Sequence, residues 1–425
     1  MSKKAPPTGN IEALSSFVQG RALFDSFLET GSFDDLSEAA ECFERSVAND
    51  RDFEIAKFYQ AVCQTKLGET TKAIQHLERL AQHEQFALDA LVQQASAYAR
   101  SGEYQKAEKQ LEKAEERARL EQPKQHERGH RRGVAARAID RFIKILPSGF
   151  ARPHRDDGAS KERKLRLITA YRASILAIRG AAERDGDILR NAIEVAEKVD
   201  SEREKGKKAA SSQAGERTDR AVRSEIERTK GEQADNLESR NIEVGTEFET
   251  KIAKGMAHMW LYYLEPAEED WKAASDAFLL ARELRPNSPH ALYNLAMLHV
   301  CRGDRTLDGA SARRDYYKAN ELIARTLEIN PADDIARLTK ALLSSKIGGE
   351  LRPEEHGLGP EWEKRLRGSE EKKVVAALSE LTKGNNDNGL RSTLFGDLPR
   401  RRAVRDSFVE TTPWFIRGSR RGRRK

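Results

Sequence analysis

"FYQAVCQTKLGETTKAIQHLERL" runs over residues 58–80 and "LVQQASAYARSGEYQKAEKQLEKA" over residues 91–114. Overlaid at an offset of 34, Ala61, Gly68, Ala73, Leu77 and Leu80 of the first fall on Ala95, Gly102, Ala107, Leu111 and Ala114 of the second. In each stretch the last three of these follow an i, i+4, i+7 spacing, which puts them on one face of a helix. The glycine sits between that helix and an earlier one, where a left-handed residue ends a helix at little steric cost. The alanine lies in the earlier helix, where a small side chain lets two helices cross closely. The stretch therefore predicts two short helices per unit, repeated in tandem.

A second pair of stretches repeats at an offset of 45: "ASDAFLLARELRP" on "ANELIARTLEINP", with Ala274, Phe278, Ala281 and Pro286 on Ala319, Ile323, Thr326 and Pro331. Ala296 and Gly303 fall on Ala341 and Gly348 at the same offset. The simplest account is the 34-residue unit with 11 residues inserted between Gly303 and Ala319. On this alignment Gly303, like Gly348, is expected at a turn. A looser unit opens the chain, with Ala39, Phe43 and Ser46 on its second helix, and "NAIEVAEKV" at 191–199 reads as another second helix.

A 34-residue unit of two short helices resembles the tetratricopeptide repeat. The resemblance implies an all-α helix–turn–helix solenoid in two blocks. The expected organisation is an N-terminal block at 1–121, a degenerate helical region at 122–200, a charged helical or disordered connector at 201–245, a C-terminal block at 246–348, capping helices at 349–399 and a basic tail at 400–425. In such arrays the first helices line a concave groove. By resemblance that groove draws on Ile55, Phe58, Val62, Thr65 and Lys66, then on Asp89, Val92, Ser96, Ala99 and Arg100. The later block contributes His290, Tyr293, Met297 and Val300, with Leu338 and Leu342. These positions are mostly apolar, which points to an apolar or helical ligand rather than an acidic chain terminus. The same side chains would equally suit packing between repeats.

The composition fits a thin-cored array, with 34% charged and 38% hydrophobic residues in 425. The three cysteines have no paired spacing, so neither a disulfide framework nor a cysteine-based zinc site is expected. No apolar run reaches membrane-spanning length, and no apolar signal region follows "MSKKAPPTGN"; a cytoplasmic protein is expected. The final "RGSRRGRRK" holds six basic groups and no acid, equal to the whole formal excess of +6. The body is charge-balanced and the tail is basic. Arg400, Arg401, Arg402, Arg417, Arg420, Arg421, Arg423, Arg424 and Lys425 share that tail with Trp414, a mixture suited to nucleic acid or an acidic surface.

"HERGH" at 126–130 matches His-Glu-x-x-His, in which two histidines one helical turn apart hold zinc and the glutamate activates water. Its surroundings oppose that chemistry. Gly129 weakens the helix, and Arg128, Arg131 and Arg132 would repel the ion. No third ligand follows at a recognisable spacing. No nucleophile elbow, phosphate loop or dinucleotide fingerprint occurs. The expectation is a non-enzymatic scaffold or adaptor that binds a protein or peptide and needs no cofactor or metal. A regulator that contacts nucleic acid through its tail is the alternative, and a metallopeptidase at His126, Glu127 and His130 is the most remote reading.

Overall fold

The computed structural model describes residues 10–30, 33–84, 86–120, 158–215, 229–286, 288–331 and 333–348. Among these, thirteen helices follow one another: α1 (Ile11–Thr30), α2 (Phe33–Asn49), α3 (Glu54–Leu67), α4 (Thr70–Ala81), α5 (Ala87–Arg100), α6 (Tyr104–Leu120), α7 (Gly158–Glu183), α8 (Gly186–Gly215), α9 (Thr229–Leu264), α10 (Glu268–Leu284), α11 (Pro289–Arg305), α12 (Gly309–Ile329) and α13 (Asp334–Ile347). Each packs on its predecessor, and α3 also meets α5, α7 meets α9, and α9 meets α11. That pattern is a helix–turn–helix solenoid. The odd-numbered helices are the first members of their hairpins and lie along one side; the even-numbered ones cover the other.

The turns follow the chemistry of the glycines. Gly68, Gly102 and Gly348 take φ of +88°, +80° and +110° and end α3, α5 and α13. At the first of these, Gly68 N–H donates to the Thr65 carbonyl and Glu69 N–H to that of Gln64, which satisfies the carbonyls left over at the helix end. Gly303 differs. It lies inside α11, which continues to Arg305, and a Cβ built on it would meet Tyr316 Cε1 at 2.7 Å. This glycine serves a close approach between helices, not a turn. The inserted residues lengthen the hairpin instead: α12 has 21 residues against 12 in α4. Asp308 starts α12 by accepting from Ala310 and Ser311 N–H at 3.2 and 2.9 Å.

The core is a chain of clusters passed from hairpin to hairpin. Phe17, Phe24, Phe43 and Tyr59 interlock in α1–α3, with Phe43 stacked on Tyr59 at 5.2 Å. Val92 and Leu111 pass contact from α5 and α6 to Leu167, Ile168 and Tyr171 of α7. From α7 and α8 one cluster then runs to Leu338 and Leu342 of α13. Each fully buried large apolar side chain contributes about 1.5–3 kcal/mol. Glycines inside helices admit a large side chain from the next helix: Gly20 faces Phe43, Gly180 faces Leu189 and Gly255 faces Phe278.

The stretch expected as a connector, 201–245, is helical where described, with residues 201–215 continuing α8 and 229–245 opening α9. Charges there and just beside it pair between helices: Lys251 with Asp200 at 2.7 Å, Lys254 with Glu197 at 2.8 Å, and Arg203 with Glu247. Through α6, α7 and α9 the early hairpins are thus joined to the later ones by direct packing. The 349–399 and 400–425 segments lie outside the described residues.

Candidate interaction face of the first helices

The residues assigned to a groove lie on first helices, but they do not form an open lining. Phe58, Val62 and Lys66 of α3 are buried, as are Val92 and Ser96 of α5, Tyr293 and Met297 of α11, and Leu338 and Leu342 of α13. Phe58 stacks on Phe86 at 6.3 Å, and Tyr293 Oη lies 3.0 Å from Thr339 Oγ1. The structure gathers them into three separate cores: Phe58 and Val62 in the first, Val92 in the second, and Tyr293, Met297, Leu338 and Leu342 in the third. Packing within the array, rather than display to solvent, is what these apolar side chains do. Arg100 is half-buried, and its Nη2 donates to the Lys66 carbonyl at 3.1 Å, one repeat period back along the chain. The tail positions from Arg400 to Lys425, Trp414 included, and His126, Glu127 and His130 lie outside the described residues.

A different feature distinguishes the first helices. Most buried polar side chains sit on them: Arg21 on α1, Thr65 and Lys66 on α3, Asp89, Gln93, Gln94 and Ser96 on α5, Ser174 on α7, Thr246, Glu249 and Thr250 on α9, Asn294 on α11 and Thr339 on α13. The second helices bury only Ser46, Asp315 and Thr326 of this kind among the described residues. Burying a polar group is costly unless it is hydrogen-bonded; Thr65, Ser174, Thr250 and Asn294 donate to carbonyls one turn back, and Thr339 pairs with Tyr293. The sequence carries a sign of this strip. Asp89, Gln93, Ser96 and Arg100 follow i, i+4, i+7, i+11, a polar line along one face of α5. Thr246, Glu249 and Thr250 make a shorter line of the same kind on α9.

Electrostatics tie this strip across the array. Tyr171 is fully buried; burial pushes its phenol well above the ordinary range, Glu249 and Asp89 push the same way, and Arg285 opposes them. Arg285 itself is lowered by burial and supported by Glu249, with its guanidinium 4.9 Å from the Phe248 ring centre. Groups from α5, α7 and α9 therefore share one internal field.

On the other side of the later hairpins, Asp315 of α12 is buried and held by two neighbours. Arg302 grips it at 2.8 and 2.6 Å, and His299 Nδ1 lies 2.9 Å away. The Arg302 guanidinium also stacks 3.8 Å from the Trp271 ring centre. This is a fastening between α10, α11 and α12. Among the described residues no group of three His, Cys, Asp or Glu could hold a metal ion, and no helix is long and apolar enough to cross a membrane.

The fold defines a helical-hairpin repeat protein. The family model of the tetratricopeptide repeat matches residues 56–83, the α3–α4 hairpin. No curated protein sequence matches the chain. Among solved structures, the crystal structure of yeast Tom70 aligns over 95% of this chain and 83% of its own, at 12% identity and a TM-score of 0.25.

Proposed function

We propose that the protein is a non-enzymatic scaffold that holds a peptide or helical segment of a partner along the face formed by its first helices. The carrying observation is the accessible edge of that face, which stands over the buried polar strip of Asp89, Gln93 and Ser96 on α5 and Thr246, Glu249 and Thr250 on α9. At that edge Tyr98, Arg100 and His290 can hydrogen-bond a main chain and orient it, while Ile55 and Leu91 supply apolar contact area. The accessible edge of that face carries Ile55, Leu91, Tyr98, Arg100 and His290, all half-buried. These side chains, more than the packed ones beneath them, are where a partner would make first contact.

Affinity capture of partners by the full chain tests this reading. Leu91→Arg, Tyr98→Glu and Arg100→Glu are expected to lose the captured partner. Glu78→Arg and Lys109→Glu, exposed on the second helices α4 and α6, are expected to retain it. Loss with the second-helix pair and retention with the first-helix set would overturn the assignment.

A further inference from the structure

The α11–α12 hairpin carries extra turns that the shorter α3–α4 hairpin lacks. They are firmly built. Gly303 lets Tyr316 lie against α11, Tyr316 Oη donates to Asp304 at 2.7 Å, and Arg302 clamps Asp315. This fastening holds up an apex of unusual composition. Leu307, in the turn at the tip, is as exposed as an isolated residue, at 103%. Tyr317, further along α12, is 58% exposed. Around them stand Arg305, Arg313 and Arg314, all exposed.

The charges there do not cancel. Asp315 is answered by Arg302 and Asp304 by Lys346, while Asp308, the helix cap, keeps its negative charge and feels Arg314, so one anion stands against three arginines. Arg305 donates to the Tyr263 carbonyl and Arg313 Nε to that of Gly309 at 3.2 Å, both backbone groups that leave the charge standing. None of these three arginines has a carboxylate ion-pair partner among the described residues, although Arg305 also lies 5.2 Å from the Tyr263 ring centre. The tip therefore carries an excess of positive charge beside one fully exposed leucine.

We propose that this apex docks on an anionic phospholipid surface, with Leu307 entering the headgroup–acyl boundary, Tyr317 at its edge, and Arg305, Arg313 and Arg314 facing lipid phosphates and carboxylates. Charge complementarity selects an anionic partner. Shape selects lipid over an acidic peptide. A peptide is held by a groove or along a helix face, and a lone protruding leucine offers neither; a deformable interface closes around it. The apex and the basic tail carry the same sign, so both would favour such a surface.

The test is co-sedimentation of the full chain with phosphatidylserine–phosphatidylcholine vesicles and with pure phosphatidylcholine vesicles. The tail is basic, so each apex variant is also made in a chain whose Arg400, Arg401, Arg417, Arg420, Arg421, Arg423, Arg424 and Lys425 are changed to Gln, which balances the charge of residues 400–425. Binding to the anionic vesicles alone is expected, and it persists in weakened form in the tail-neutral chain. Arg313→Gln with Arg314→Gln is expected to weaken it by roughly 25-fold, about fivefold per arginine. Leu307→Asp is expected to weaken it by roughly tenfold or more with all cations in place. Circular dichroism melts matching the parent show that the variants fold. The proposal is overturned if the tail-neutral chain does not sediment with anionic vesicles, or if apex variants sediment like their parent. It is also overturned if those variants lose a soluble acidic protein while vesicle binding is unchanged.

Discussion

Gly255 of α9 lies so close to Phe278 of α10 that a Cβ on the glycine would sit 2.5 Å from the ring carbon Cε1. Gly20 and Phe43 repeat the relationship at 2.9 Å in the first hairpin. In both hairpins a bulky ring on the second helix is matched by a residue without a side chain on the first.

Gly255→Ala is accordingly expected to destabilise the protein. Helix propensity alone favours alanine by about 1 kcal/mol, but overpacking a buried crossing costs about 1–3 kcal/mol, and Phe278 is fully buried with little room to yield. Gly309→Ala, with nothing within 4 Å of the added carbon, is expected to be neutral or to gain a few tenths of a kcal/mol. Urea melts of the two variants should shift in opposite directions or show a loss in the first alone. An equal loss in both would contradict the packing account.

Arg302→Met should cost about 3 kcal/mol. It leaves the buried Asp315 carboxylate without its two-pronged partner and removes the cation from the Trp271 face. Arg302→Met with Asp315→Leu should recover much of the loss, because the charge that needed pairing is gone. Thermal melts of the single and double variants decide this; a double variant no better than the single would show that the pair is not the fastening.

Acid should weaken the fold before the carboxylates titrate. Burial holds His299 below its ordinary value of 6.5, outweighing the hydrogen bond to Asp315, whose charge Arg302 already answers. Burial lowers His76 too, with Arg79, Lys57 and Lys72 pushing the same way. Between the folded and unfolded pKa values the unfolded chain binds more protons. Stability is therefore full above 6.5 and is lost as pH falls through the folded values. The melting temperature is expected to fall between about pH 7.5 and about pH 5, and less steeply for His299→Gln with His76→Gln. Identical slopes in the parent and the double variant would refute histidine titration as the cause.

What could be read from the residues was the repeat. The alanine, glycine and leucine positions at an offset of 34 are enforced by helix crossing and turn geometry, so Gly68, Gly102 and Gly348 fall where the pattern puts them. Gly303 was not separable from them, because a glycine that ends a helix and one that admits a tyrosine ring look alike in a sequence. The α7–α9 region was obscured by charge: its lysines, arginines and glutamates pair between helices, which composition alone cannot distinguish from a solvated linker. Register could place Phe58, Val62, Tyr293 and Met297 on the first-helix face. It could not show that packing buries them, since burial depends on neighbours distant in the chain.

Residue-specific photo-crosslinking of the full chain to its partner tests recognition by the first helices most directly. The photoreactive side chain is placed in turn at Leu91, Tyr98 and His290 on first helices, and at Glu78, Lys109 and Arg282 on second helices. Partner adducts are expected at the first three alone. Adducts confined to the second-helix positions would contradict that expectation and move recognition to the opposite side of the array.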